Sequence, residues 1–195
     1  MSPLDKSEKQ ALLEIARKAI FFALTGNRHP EISSLAGALG APGGAFVTLR
    51  KGSRLRGCIG RIAAEEPLAV VVSECAVAAA TEDPRFSRLR VDDMADLDIE
   101  ISVLSEPQET KPDHIQPGKH GLIISGNGRR GVLLPQVAVE HRLSRERFLE
   151  ETCRKAGLLP NAWREPGIHI ETFTAEVFSD SDFRPAVCNQ LDSGG

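Results

Sequence analysis

Apolar residues recur along this chain in two periods, one helical and one alternating, and the two are interleaved rather than segregated. From Ser7 to Leu24, residues Leu12, Ile15, Ala16, Ala19, Phe22 and Ala23 fall at helical spacing, with Gly26 behind them as a stop. The spacing predicts an amphipathic helix covering a core. A second helical stripe, Leu68, Val71, Val72, Cys75 and Ala79, predicts a helix over Glu65 to Ala80, with Pro67 in its first turn and the acidic pair before it complementing the helix dipole. A third is predicted from Ser144, a capping residue, to about Lys155, with Phe148, Leu149 and Thr152 inward and Gly157 at its end.

Between the helical stripes the period changes to two. Ala45 to Arg50 and Arg54 to Ile59 flank Lys51-Gly52-Ser53 and predict a hairpin. Leu97 to Val103 alternates apolar residues with Asp98, Glu100 and Ser102, the pattern of a half-buried strand. Gly121 to Ser125 and Gly131 to Leu134 flank a glycine-rich turn, Gly126 to Arg130, and predict a second hairpin, with His120 at its entry and Gln136 at its exit. Ile168 to Phe178 predicts one final strand. His29 to Gly44 reads as an irregular connection with a short helical turn around Ser33 to Leu39, and Ser179 to Gly195 as a polar tail that wraps the surface or frays. Strands arriving as hairpins among helices predict an α+β fold of two lobes, with a mostly antiparallel or mixed sheet and a shared groove. The expected organisation is one domain over residues 1–178, made of two intertwined lobes, followed by the tail at 179–195.

Composition narrows the function. With 195 residues and 41% hydrophobic content, the chain builds a substantial core. Its 27 acidic and 24 basic residues are mixed along the sequence, for a net charge of −3, and give no electrostatic footprint for nucleic acid. No apolar run approaches the roughly 20 residues that span a bilayer, and the opening residues lack a cleavable signal pattern, so a cytoplasmic protein without membrane association is expected. Cys58, Cys75, Cys153 and Cys188 are far apart and share no ligand spacing with the five histidines, so neither a zinc site nor a disulfide framework is signalled, and no metal or cofactor is expected.

The chemistry-bearing segment is Leu55-Arg56-Gly57-Cys58-Ile59-Gly60. Glycines on both sides of Cys58 permit close approach of another backbone or a ligand, and Arg56, two residues away on a strand, is expected on the face of the sulfur. Cys58 is the candidate nucleophile, His120 its candidate base, and Glu100 a carboxylate able to orient His120 or pair with Arg56 or Arg85. Arg56, Gly57, Gly60, Arg85 and Gln136 are candidate binding residues: Arg85 has a planar fork for a carboxylate or phosphate, and Gln136 an amide able to aim a donor and an acceptor into a groove. The plainer accounts are a cysteine packing beneath a sheet, a solvated strand face around Glu100, a helix terminator in Asp83-Pro84-Arg85-Phe86 and a helix-turn cap at Gln136.

Several segments in order, Gly44 to Leu49, Leu55 to Gly60, Asp83 to Phe86, His120-Gly121-Leu122, Leu133 to Ala138 and Cys153 to Leu158, together resemble the AMMECR-domain family, whose prokaryotic members are called AmmeMemoRadiSam system protein A. The resemblance covers about Ser7 to Phe178. It implies a two-lobed α+β fold and association with a Memo-like protein and a radical S-adenosylmethionine enzyme; it supplies no established reaction. His141-Arg142-Leu143 departs from the family, which often carries an aromatic residue there. Two functions therefore stand side by side: an accessory component presenting a cysteine-containing groove, or an enzyme using Cys58 thiol chemistry on a small polar metabolite or modified side chain.

Overall fold

The computed structural model describes residues 3–27 and 37–183. Its first helix, α1 (Lys6–Thr25), starts at an N-cap where Asp5 Oδ1 accepts the Glu8 N–H at 2.8 Å and Glu8 Oε2 accepts the Asp5 N–H at 2.9 Å. It ends on Gly26 in the left-handed conformation, φ +72°, as the sequence predicts. The hairpin follows as β1 (Gly44–Lys51) and β2 (Arg54–Arg61). The second helix, α2 (Leu68–Thr81), begins at the first residue of its apolar stripe and not at Glu65 as expected. Pro67 is its N-cap, the Leu68 N–H donates to the Ala41 carbonyl, and Pro67 bridges Pro42, so the preceding residues are drawn into extended pairing. Glu66 pairs with Arg61 instead of lying in the first turn.

The remaining elements are β3 (Leu97–Leu104), β4 (Gln108–Glu109), β5 (Gly121–Gly126), β6 (Arg129–Leu133), α3 (Pro135–Glu140), α4 (Arg145–Lys155), β7 (His169–Phe173) and β8 (Ala175–Ser179). They form two antiparallel sheets, ordered β2-β1-β3-β8 and β4-β7-β5-β6. The final predicted strand is thus two strands in two sheets. Thr174 makes the crossing: its N–H donates to Ser105 Oγ, and its carbonyl accepts the Ser105 N–H. The predicted turn around Ser33 to Leu39 is described only at Gly37–Leu39, a single tight turn; the rest of it, and the tail beyond residue 183, lie outside the described residues.

Alternation sorts the sheet faces. Ala45, Val47 and Leu49 on β1, and Ile99, Ile101 and Val103 on β3, are buried against Leu12, Ala16 and Ile20 of α1 and Val71, Val72 and Ala76 of α2. In the second lobe, Phe148, Leu149 and Cys153 of α4 pack on Leu122, Ile124 and Ile170. Between the lobes lie Leu104, Ile123 and Phe173, with Phe46, Ile62, Leu134 and Ala175 against them. The sheets therefore meet through their second faces, and the first sheet's meeting face carries Cys58, Thr48, Glu100 and Ser102. Among the described residues no helix is long and apolar enough to cross a membrane.

Candidate functional site

Cys58 sits on β2, an edge strand of the first sheet. An edge strand leaves alternate backbone groups without strand partners. Here the Cys58 pair is closed by side chains from beyond α2: the Cys58 N–H donates to Asp83 Oδ2 at 2.9 Å, and its carbonyl accepts from Arg85 Nη2 at 3.2 Å. Asp83 in turn accepts from Arg85 Nε at 2.9 Å, Arg85 Nη2 at 2.7 Å and the Arg85 N–H at 3.1 Å. Its side chain is only 2% exposed, whereas that of Arg85 is 56% exposed. The Arg85 guanidinium, more than the Cys58 N–H, holds the Asp83 carboxyl far below the usual carboxylate range despite burial. Asp-Pro-Arg-Phe thus ends a helix and also clamps the peptide of Cys58.

The flanking glycines bring other parts of the chain close. A Cβ on Gly57 would lie 2.0 Å from the Ala79 carbonyl oxygen, so α2 rests directly on β2 at this point. A Cβ on Gly60 would lie 2.2 Å from the ring of Phe46, its partner across the hairpin, which covers it. Because the Cys58 N–H leaves the sheet edge, Cys58 and Thr48 form a cross-strand pair without backbone hydrogen bonds, the kind that brings side chains closest. Thr48 Oγ1 lies 3.4 Å from Cys58 Sγ and donates to it. Glu100 is next in the row, paired with Thr48, and Ser179 follows.

Burial raises Glu100 above its ordinary value, and the charges around it are Arg50, Asp98, Glu140 and Asp182. Among the described residues, no hydrogen bond or ion pair joins Glu100 to His120, Arg56 or Arg85. His120 Nδ1 accepts the Gln116 N–H at 3.2 Å, and desolvation with Lys119 nearby lowers its affinity for a proton. Among the described residues, nothing links it to Cys58 by a hydrogen bond. Gln136 donates from Nε2 to Ser102 Oγ at 3.4 Å across the lobe interface.

Arg56 departs from the expected alternation. Leu49 pairs with Gly57 and Arg50 with Leu55, so Arg56 is the extra residue of a β-bulge, which re-aims a side chain. Its Nη2 donates toward the Ser87 carbonyl at 3.5 Å and its charge bears on Asp93. The cation at Cys58 is Arg85. Cys75 and Cys153 are buried, which pushes the Cys75 thiol up to about 11 and raises Cys153 as well; Cys58 is half-exposed. Thr48 and Asp83, neither of them among the expected site residues, complete the set around the thiol. The one local sign of the clamp is the placing of Asp83 and Arg85 two residues apart around a proline.

A model of the AMMECR1 family matches residues 13–178. The chain is 37% identical over 185 residues to Mbar_A1807 of Methanosarcina barkeri, covering 90% of this chain and 91% of that protein. It is 38% identical over 187 residues to a protein of Methanothermobacter thermautotrophicus, covering 92% of this chain and 97% of the other. Among solved structures, the uncharacterized protein PH0010 from Pyrococcus horikoshii is similar with a TM-score of 0.80 and 36% identity, covering 87% of this chain and 89% of that one.

Proposed function

The chain belongs to the AMMECR1 family, and on that premise we propose that it is an accessory protein presenting the Cys58 edge of its first sheet to a Memo-like protein or a radical S-adenosylmethionine enzyme. The observation that carries this reading is the use of the polar groups around Cys58. Asp83 and Arg85 fix the Cys58 peptide, and Thr48 donates a hydrogen bond to the sulfur. His120, the expected base, is engaged by the Gln116 backbone. A nucleophilic thiol needs a base within hydrogen-bond reach and donors for the developing charge. A recognition edge needs rigidity, because a surface ordered beforehand loses little entropy on binding. The Asp83–Arg85 clamp and the close packing at Gly57 and Gly60 supply that rigidity.

Calorimetric titration of the purified chain against each purified partner tests the proposal. Wild type and Cys58→Ser are expected to bind alike, and Arg85→Ala to bind at least about tenfold more weakly. Absence of binding to both partners overturns the reading, as does equal binding by Arg85→Ala.

A second reading, thiol chemistry on a small polar metabolite or modified side chain, is favoured by one observation: the half-exposed Cys58 interacts electrostatically with the Arg85 guanidinium. It requires Cys58→Ser to abolish the activity of the assembled system.

A further inference from the structure

The two sheets end on four edge strands, β2 and β8 in the first and β4 and β6 in the second. An exposed edge invites another strand, and folded chains blunt it by charge, shortness or cover. At β2 the outward groups of Cys58 are taken by Asp83 and Arg85. β4 is two residues long, and β6 opens with the exposed Arg129 and Arg130, whose charges repel a second copy. None of these devices protects β8. Its one charge, Glu176, is neutralised within the chain by Lys9 Nζ at 2.7 Å.

The register shows which groups of β8 point outward. Cys58 and Thr48 pair without backbone hydrogen bonds, so Thr48 and Glu100 exchange both, and Glu100 and Ser179 again pair without them. The Ser179 N–H accordingly leaves the ladder and donates to Asp182 Oδ2 at 2.7 Å. By the same alternation Val177 and Ala175 turn their N–H and C=O groups outward. Among the described residues, no hydrogen bond reaches these groups. Beside them the surface is apolar: Val177 is 43% exposed, and Val139, which borders the same depression, is 63% exposed, high for branched aliphatic residues.

We propose that β8 pairs with β8 of a second copy of this chain, antiparallel across a two-fold axis at Val177. An edge that meets itself this way must be self-complementary, and this one is. Val177 exchanges both hydrogen bonds with Val177 of the second copy, the Ala175 N–H donates to that copy's Ser179 carbonyl, and the two valine side chains cover one another. On the other face, Glu176 lies across from Phe178 of the second copy rather than from its own equivalent. Lys9 sits over the Phe178 ring, 5.9 Å from its centroid, so the Lys9 of each copy is brought toward the Glu176 of the other. Moving the axis to Glu176 would instead set two like charges face to face. The first sheets of the two copies become one continuous antiparallel sheet with a Cys58 edge at each end. The pairing leaves those edges free and is independent of the partner reading above. A contact through one short strand belongs to the weak class of interfaces, so the dimer is reversible, with a Kd in the micromolar range or weaker.

Sedimentation velocity of the full chain at rising concentration tests the pairing, together with amide hydrogen exchange read by nuclear magnetic resonance. A monomer–dimer equilibrium is expected, with the Val177 amide exchanging more slowly as the dimer fills. Val177→Pro removes an N–H that faces away from β3, so it is expected to fold as wild type and to dimerise at least about tenfold more weakly. Val177→Lys, at an exposed position, sets two like charges together on the axis and is expected to do the same. A chain that stays monomeric up to millimolar concentration overturns the proposal, whether or not β8 takes up an added peptide. So does a dimer whose Val177 amide is unprotected, or one that folded Val177→Pro and Val177→Lys proteins form as readily as wild type.

Discussion

Removing the charge of Asp83 is the sharpest perturbation of the region around Cys58. The carboxylate receives four hydrogen bonds, three from Arg85 and one from the Cys58 N–H, and its side chain is almost fully buried. In Asp83→Asn one oxygen remains and an amide donor faces the donors of Arg85 and Cys58. Hydrogen bonds to a charged group contribute about 1.5–3 kcal/mol. Arg85 is half-exposed and recovers water, so the lower part of that range applies and the expected loss is about 2 kcal/mol. For a chain of this length that corresponds to a fall in Tm of about 4–8 °C. The pH dependence carries a sign. A carboxyl whose folded pKa lies below its unfolded value of about 3.9 contributes stability that is fully present above that value and is lost as pH falls through the folded pKa. The gap between wild type and Asp83→Asn is therefore expected to be widest near neutral pH and to close in acid. Denaturant melts from neutral to acid pH measure this. Equal stability of the two proteins at neutral pH, or a gap that widens in acid, refutes the clamp.

Three further outcomes follow from the same packing and burial. Gly57→Ala drives a methyl group into the Ala79 carbonyl, a backbone atom, and is expected to destabilise by about 3 kcal/mol in denaturant melts, whereas Gly60→Ala meets the movable ring of Phe46 and is expected to lose less. Burial raises the Glu100 pKa, so the ionised form is a penalty present above the folded value and relieved as pH falls; Glu100→Gln is expected to raise Tm at neutral pH, with the advantage vanishing below the ordinary glutamate value of about 4.3. In timed alkylation with peptide mass spectrometry, Cys58 is expected to label before the other two described cysteines, with Cys75 and Cys153 labelling only as the chain opens.

Much of the fold is legible in the chain because local periodicity and tertiary burial agree. The α1 stripe, both hairpins, the alternation around Glu100 and the Ser144 cap, whose Oγ accepts the Arg147 N–H, all appear where residue patterns place them. What is not legible depends on distant partners. The last strand divides at Thr174 because Ser105, 69 residues earlier, binds its backbone. At six residues, α3 is too short for a periodic signal. Around Cys58, the two-residue rule fails for Arg56 because a bulge interrupts the ladder, and Arg85 takes the place expected of it through a clamp between residues 27 positions apart. His120 and Glu100 were plausible companions of Cys58 by residue type, but the residues meeting the thiol and its peptide are Thr48, Asp83 and Arg85.

The most direct test of a recognition role for the Cys58 edge is the rate at which iodoacetamide labels Cys58 in the free chain and in the presence of a saturating Memo-like protein or radical S-adenosylmethionine enzyme. Labelling of the free chain no faster than that of a small free thiol, with strong protection of Cys58 in a complex, is the result this account predicts. Rapid labelling of the free chain that neither partner slows contradicts it.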